Sequence, residues 1–172
     1  IQAGIDSFKI EGRMKTALYV AVVSRTYRQA VDDYLESEEL YRSRIPYYKE
    51  EIAKCTYRQF TTGFFFGKPT HEMQIYDNNT YVKGYSYLGM IEEIDEEGIV
   101  TFSQKNKFCV GDTIELMMKD GENREVVVLQ MWNQYGEETE SCPHPGEKIR
   151  LRLSAPAEEH LIMRQRAEMP IE

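Results

Sequence analysis

The sequence predicts an α+β chain in two parts: a strand-helix-helix remnant of an α/β barrel domain, then a small antiparallel β-barrel. Three observations predict it. Apolar side chains fall at helical spacing early in the chain, short alternating runs bounded by turn residues dominate from Tyr81 onward, and the charge balance differs between the parts. Residues 1–58 carry 10 Lys/Arg against 9 Asp/Glu, whereas residues 59–172 carry 11 against 20. Hydrophobic residues make up 41% of the 172, enough for packed cores rather than wholesale disorder. The predicted division is 1–58 for the end of a truncated domain, 59–80 for a linker, 81–156 for the barrel and 157–172 for a tail with a short helix.

Residues 5–10, Ile-Asp-Ser-Phe-Lys-Ile, alternate apolar and polar side chains and predict a short strand. Gly12 then supplies a turn. A helix is predicted over about Thr16 to Leu35, with Val20, Val23, Tyr27, Ala30, Val31 and Tyr34 on one face and Arg25, Arg28, Asp32 and Asp33 largely on the other. One strand-turn-helix unit cannot bury both faces of its strand, so neighbours are expected in a longer chain, in keeping with a start at Ile1 rather than Met. A second helix is predicted from Tyr47 to about Arg58, with Pro46 opening its first turn, Glu50 and Glu51 early and Lys54 and Arg58 late. Phe60 to Pro69, aromatic and punctuated by Gly63 and Gly67, reads as a linker segment packing onto both parts.

In the second part, Tyr85–Ile94 and Ile99–Phe102 predict strands joined by a turn at Glu96-Glu97-Gly98. Thr113–Met118 and Glu125–Met131 flank Lys119-Asp120-Gly121-Glu122, a strong hairpin signal. Lys148–Leu153 alternates charged and apolar residues as a half-buried strand does. Short strands spaced by turns predict a small barrel.

Several classes of chemistry find no support. No run approaches the roughly 18 apolar residues of a membrane span, and the first fifteen residues lack a secretory signal's apolar stretch. Cys55, Cys109 and Cys142 are odd in number, far apart and without CxxC spacing, which predicts reduced thiols in a cytoplasmic protein. His71, His144 and His160 are equally scattered, and no metal site is expected. Gly63 to Lys68 has three residues between its glycines and Pro69 after the lysine, so it is no phosphate loop. There is no nucleophile elbow, and Cys142 and His144 sit together in a Pro-rich loop, where sequence adjacency does not make a catalytic pair. No catalytic residue is assigned.

Two sets of residues are candidates for substrate binding. Lys9, Glu11 and Arg13 would stand at the C-terminal end of a barrel strand, where reactive groups gather. There a carboxylate and a guanidinium could orient a polar substrate, or simply brace the turn. Lys148, Arg150 and Arg152 share one face of a strand, and Lys105 and Lys107 form a second basic pair. Against the acidic balance of the second part, such a stripe is either a local contact for RNA or only the solvated side of its sheet.

Ala3-Gly4-Ile5-Asp6-Ser7-Phe8-Lys9-Ile10-Glu11-Gly12-Arg13-Met14-Lys15, with Tyr19-Val20-Ala21 and Tyr27-Arg28-Gln29-Ala30, closely resembles peptidase family U32, the collagenase-like proteases. The resemblance is specific over about the first 35 residues. It implies that residues 1–58 end a catalytic domain and that a C-terminal β-barrel follows, positioning substrate or docking a partner for that domain. It implies two competing activities for the intact protein: proteolysis of peptide or collagen, or, as in bacterial relatives, participation in hydroxylating a tRNA wobble uridine. A third reading is a non-enzymatic acidic adaptor. An iron–sulfur cluster implied by the family's cysteine signature would lie before Ile1, since Cys55, Cys109 and Cys142 do not match it. Phe108 to Glu115 also looks like the barrel second domain of translation elongation factors.

Overall fold

In the computed structural model, which describes residues 1–55, 64–68 and 84–167, Thr16 and Ser37 set the helix boundaries of the first unit, Ile1–Gly84. Helix α1 is Ala17–Glu36. Thr16 is extended, and its hydroxyl accepts the Tyr19 N–H at 3.2 Å, satisfying one of the donors a helix start leaves open. Ser37 ends α1 and starts α2, Glu38–Ala53, by accepting the Leu40 N–H at 3.0 Å.

The second helix therefore begins at Glu38, not at Tyr47, and Pro46 lies inside it. The start signal that governs is the Ser37 cap with Glu38 and Glu39 in the first turn, where the dipole favours acids. The helix ends at Ala53; Arg58 lies outside the described residues.

The buried stripe of α1 also differs from the predicted one. Leu18, Val22, Val23, Thr26 and Asp33 are buried, whereas Val20 and Tyr27 are 40% and 49% exposed. Buried ion pairs decide which face meets α2. Asp33 accepts the Arg44 guanidinium on both oxygens, at 3.1 and 3.0 Å, and the Tyr48 hydroxyl. Glu51 holds Arg25 Nη2 at 2.8 Å and Lys54 Nζ at 2.5 Å. Burial, reinforced by Asp33, pushes the Tyr48 hydroxyl far above the usual phenol range.

Residues 5–10 form no strand, and Ile5, Phe8 and Ile10 are exposed. The alternation is present, but a strand exists only through backbone pairing, and no described segment of this unit is a strand. Gly12 turns the chain hard against α1, where an added Cβ would stand 2.6 Å from Val20 Cγ2. Of the predicted linker 59–80, only 64–68 are described. Phe64, Phe65 and Phe66 are about four-fifths exposed on a turn closed by the Gly67 N–H on the Phe64 carbonyl, so these three rings do not pack as expected.

The second unit, Tyr85–Glu172, is a closed barrel. Its strands are β1 Tyr85–Ile94, β2 Val100–Ser103, β3 Thr113–Met117, β4 Asn123–Trp132, β5 Lys148–Leu153 and β6 Ile162–Arg166. The order around the barrel is β1-β2-β5-β4-β3-β6, with every neighbour antiparallel. Inward side chains such as Leu88, Phe102, Leu116, Val128 and Leu151 fill the core and are fully buried. The Asp120-Gly121 turn links β3 to β4, with Gly121 at φ +93° and the Glu122 N–H on Asp120 Oδ1. Gly89 sits where β1 bulges between its two partners, and an added Cβ would lie 2.5 Å from the Phe102 ring.

Strand β6 replaces the short helix expected in the tail. It pairs with β1 on one side and β3 on the other, so it closes the barrel. Helix-favouring Met, Arg and Gln dominate this strand, but two unpaired strand edges outweigh that preference. Residues 81–83 and 168–172 of the predicted barrel and tail lie outside the described residues.

Arg164 of β6 is fully buried. It pairs with Glu115 directly across on β3, and its guanidinium lies 5.0 Å from the Tyr85 ring centroid. Removing one member of a buried pair costs about 3–5 kcal/mol, whereas replacing both by apolar residues is close to neutral. We expect Glu115→Ala to lower barrel stability by about that amount and Glu115→Met with Arg164→Met to restore most of it. Urea unfolding followed by fluorescence of Trp132, the single tryptophan and a β4 residue, checks both.

Candidate functional site

Alternation along β5 turns Ile149 and Leu151 into the core and leaves Lys148, Arg150 and Arg152 on the outer face, each about half exposed. The predicted stripe is therefore assembled. What the sequence did not reveal is that each cation meets an acid from β1 or the turn after it. Lys148 pairs with Glu92, Arg150 Nη2 lies 2.9 Å from Asp95 Oδ2, and Arg152 Nη2 lies 3.8 Å from Glu97 Oε2.

Two of these carboxylates hold backbone as well as cation. Glu92 accepts the Ser103 N–H of β2 at 3.0 Å on one oxygen and Lys148 on the other. Asp95 Oδ1 accepts the N–H groups of Glu97 and Ile99, at 3.0 and 2.9 Å, which shapes the turn from β1 to β2, while Oδ2 faces Arg150. The Lys148 ammonium, helped by Ser103, holds the Glu92 carboxyl below the usual carboxylate range. Asp95 is held low first by the Ile99 N–H and then by Arg150 and the Glu97 N–H.

The outer face of β1, β2 and β5 is thus a ladder of three neutralised pairs. A phosphate approaching it must compete with resident carboxylates, so the cations are worth less to a polyanion than their number implies.

In the first unit, Lys9, Glu11 and Arg13 are exposed. Glu11 Oε1 accepts the Arg13 N–H at 3.0 Å, and Lys9 Nζ stands 3.9 Å from Glu11 Oε2. Glu11 therefore braces the turn at Gly12. Beside this turn, Phe8, Tyr27, Val31, Tyr34, Tyr41 and Ile45 line an open, mainly apolar trough of about 570 Å³. Much of its wall is the α1 face predicted to be buried.

Cys142 is buried with its Sγ 3.5 Å from the Phe108 carbonyl, and burial raises its thiol above the usual range, while His144 is exposed on the following loop. This is not the geometry of an activated thiolate. Among the described residues no three His, Cys, Asp or Glu side chains converge as a metal-holding group. No described helix is long and apolar enough to cross a membrane.

A carboxylate held below its ordinary range contributes stability that is present above the unfolded-chain value and lost as pH falls through the folded-state value. We expect Lys148→Ala to move the Glu92 titration up toward the ordinary range, with loss of stability at neutral pH and a flatter acid limb. Arg150→Ala is expected to move Asp95 less, because the Ile99 N–H stays in place. Side-chain carboxyl NMR titration of both variants reads the two shifts.

Comparison with known proteins places these features in a family. The profile of peptidase family U32 matches residues 1–75, and that of the peptidase family U32 C-terminal domain matches residues 83–164. A Bacillus subtilis relative named tRNA hydroxylation protein P1 is 34% identical over 89% of this chain and 36% of its own length. A Methanocaldococcus jannaschii relative named as an uncharacterized protease is 29% identical over 87% of this chain and 37% of its own. The crystal structure of the C-terminal domain of a Geobacillus thermoleovorans protein described as a U32 peptidase is 28% identical, covering 46% of this chain and 99% of that one, with a TM-score of 0.42. The chain spans about a third of the length of these curated relatives. It belongs to peptidase family U32, and its barrel is the C-terminal domain of that family.

Proposed function

We propose that this chain is the C-terminal accessory region of a U32 protein that takes part in tRNA hydroxylation at the wobble uridine, and that the reaction itself is carried by the rest of the longer protein. The observation that carries the reading is the 34% identity to the Bacillus subtilis tRNA hydroxylation protein, which runs through 89% of the chain and so through both units. In this reading the helical unit docks the remainder of the catalytic domain. The trough beside α1 supports that role, because a continuous apolar surface with Tyr27 half exposed and Phe8 53% exposed gains by being covered. The barrel contributes to holding the substrate. Lys148, Arg150 and Arg152 brace the barrel through their carboxylate partners, and Lys9, Glu11 and Arg13 set the turn that leads into α1.

The rival activity is proteolysis, favoured by the 29% identity to the archaeal relative named as a protease. The longer protein carrying this chain, expressed in a bacterium lacking its own tRNA hydroxylation proteins, separates the two. We expect mass spectrometry of tRNA nucleosides to show a uridine heavier by one oxygen with the full-length protein, and little or none when residues 85–172 are deleted. Unmodified tRNA with the full-length protein, together with inhibitor-sensitive cleavage of gelatin, would replace hydroxylation by proteolysis. We further expect the 172-residue chain alone to perform neither reaction.

A further inference from the structure

Most cations of the barrel unit are occupied. Lys119 pairs with Glu158, the β5 cations with their ladder, and Arg164 with Glu115. Lys105, Lys107, Arg124 and Arg166 are exposed and have no ion-pair partner among the described residues, and of these Lys107 and Arg166 come together. Both line one concave site of about 380 Å³, together with Ser86, Cys109, Asp112 and Gln165.

The site is built by the strand that closes the barrel. Ser86 and Gln165 stand opposite each other in the β1–β6 register, and Arg166 is the last residue of β6. Lys107 comes from the connection between β2 and β3, not from a strand as its spacing from Lys105 implied. That connection is pinned to β1 just before Lys107: the Lys105 N–H donates to the Leu88 carbonyl at 2.9 Å, and Asn106 Nδ2 to the Tyr87 carbonyl at 2.7 Å. Asp112, the one acid in the lining, uses Oδ2 to accept the Cys109 N–H at 2.8 Å and so shapes the loop. The lining carries two cations against one carboxylate, with a hydroxyl and an amide as further donors. This is the chemistry that receives a phosphate oxygen cluster, Arg as a planar fork and Lys as a point charge.

We propose that the pocket formed by Lys107, Arg166, Ser86 and Gln165 binds a backbone phosphate of the tRNA. The proposal deepens the tRNA reading and rests on it. It also accounts for how an acidic barrel could meet RNA: among the described residues, contact falls where two cations without an ion-pair partner line one pocket, while the more obvious β5 stripe is neutralised.

The test uses the 172-residue chain, fluorescein-labelled unmodified tRNA in an anisotropy assay, and an NMR titration with inorganic phosphate. Lys107→Ala with Arg166→Ala is compared with Lys148→Ala with Arg150→Ala, which removes the same formal charge from the ladder. We expect the pocket variant to bind tRNA about tenfold more weakly than the ladder variant, and the slope of log affinity against log salt to fall by about 1.4 for two lost contacts. Lys107→Arg with Arg166→Lys is expected to retain binding. Equal losses in the pocket and ladder variants would overturn the site while leaving the tRNA reading in place. No tRNA binding by the unmodified chain, with phosphate still shifting the Lys107 and Arg166 amides, would overturn RNA as the source of the phosphate. Absence of both signals would overturn the pocket altogether.

Discussion

The insertion of β6 between β1 and β3 is the constraint on which the second unit depends. Without it, the five remaining strands present two open edges, the arrangement that invites pairing with another chain. Closure buries Arg164 fully, and its pairing with the Glu115 carboxylate offsets the cost of burying that charge. The same closure brings Ser86 opposite Gln165 and sets Arg166 beside the β2–β3 connection. One strand thus completes the core, satisfies a buried charge and builds the rim of a polar pocket.

The charge pattern is a consequence of register. Glu92 and Asp95 are 56 and 55 residues from Lys148 and Arg150, and they meet because β2 lies between β1 and β5 in the barrel order. Each of the two carboxylates also fastens backbone, Glu92 on β2 and Asp95 in the turn, so electrostatics and turn geometry reinforce one another. The ladder explains how a visibly basic strand can belong to a domain with a large acidic excess. Its cations are solvated, but they are not available as a set.

Where local pattern and tertiary demand agreed, the sequence was legible. Strands β1 and β5 have the predicted bounds, β5 from its alternation, and the Asp120-Gly121 turn lies where an Asp-Gly pair between apolar runs required it. Where they disagreed, it was not. β6 buries Ile162, Met163 and Arg164 in succession, so it shows no period of two, and its composition favours a helix. The buried face of α1 departs from the predicted one because Asp33 and Arg25, on the face expected to meet solvent, pair with residues of α2. The start of α2 lies upstream of the predicted one because the Ser37 cap, not Pro46, opens the helix. At the candidate site, alternation placed the three β5 cations on one face, but nothing local in the sequence announces partners that depend on strand order. The same limit concealed the approach of Lys107 to Arg166.

Closure is most directly tested in solution by cross-strand nuclear Overhauser contacts of Arg164. The account predicts that Arg164 shows backbone contacts to Glu115 and to Tyr87 in the same sample, with slow amide exchange along β6. Contacts to only one of those strands, or rapid exchange throughout residues 162–166, would mean an open sheet and would contradict the account.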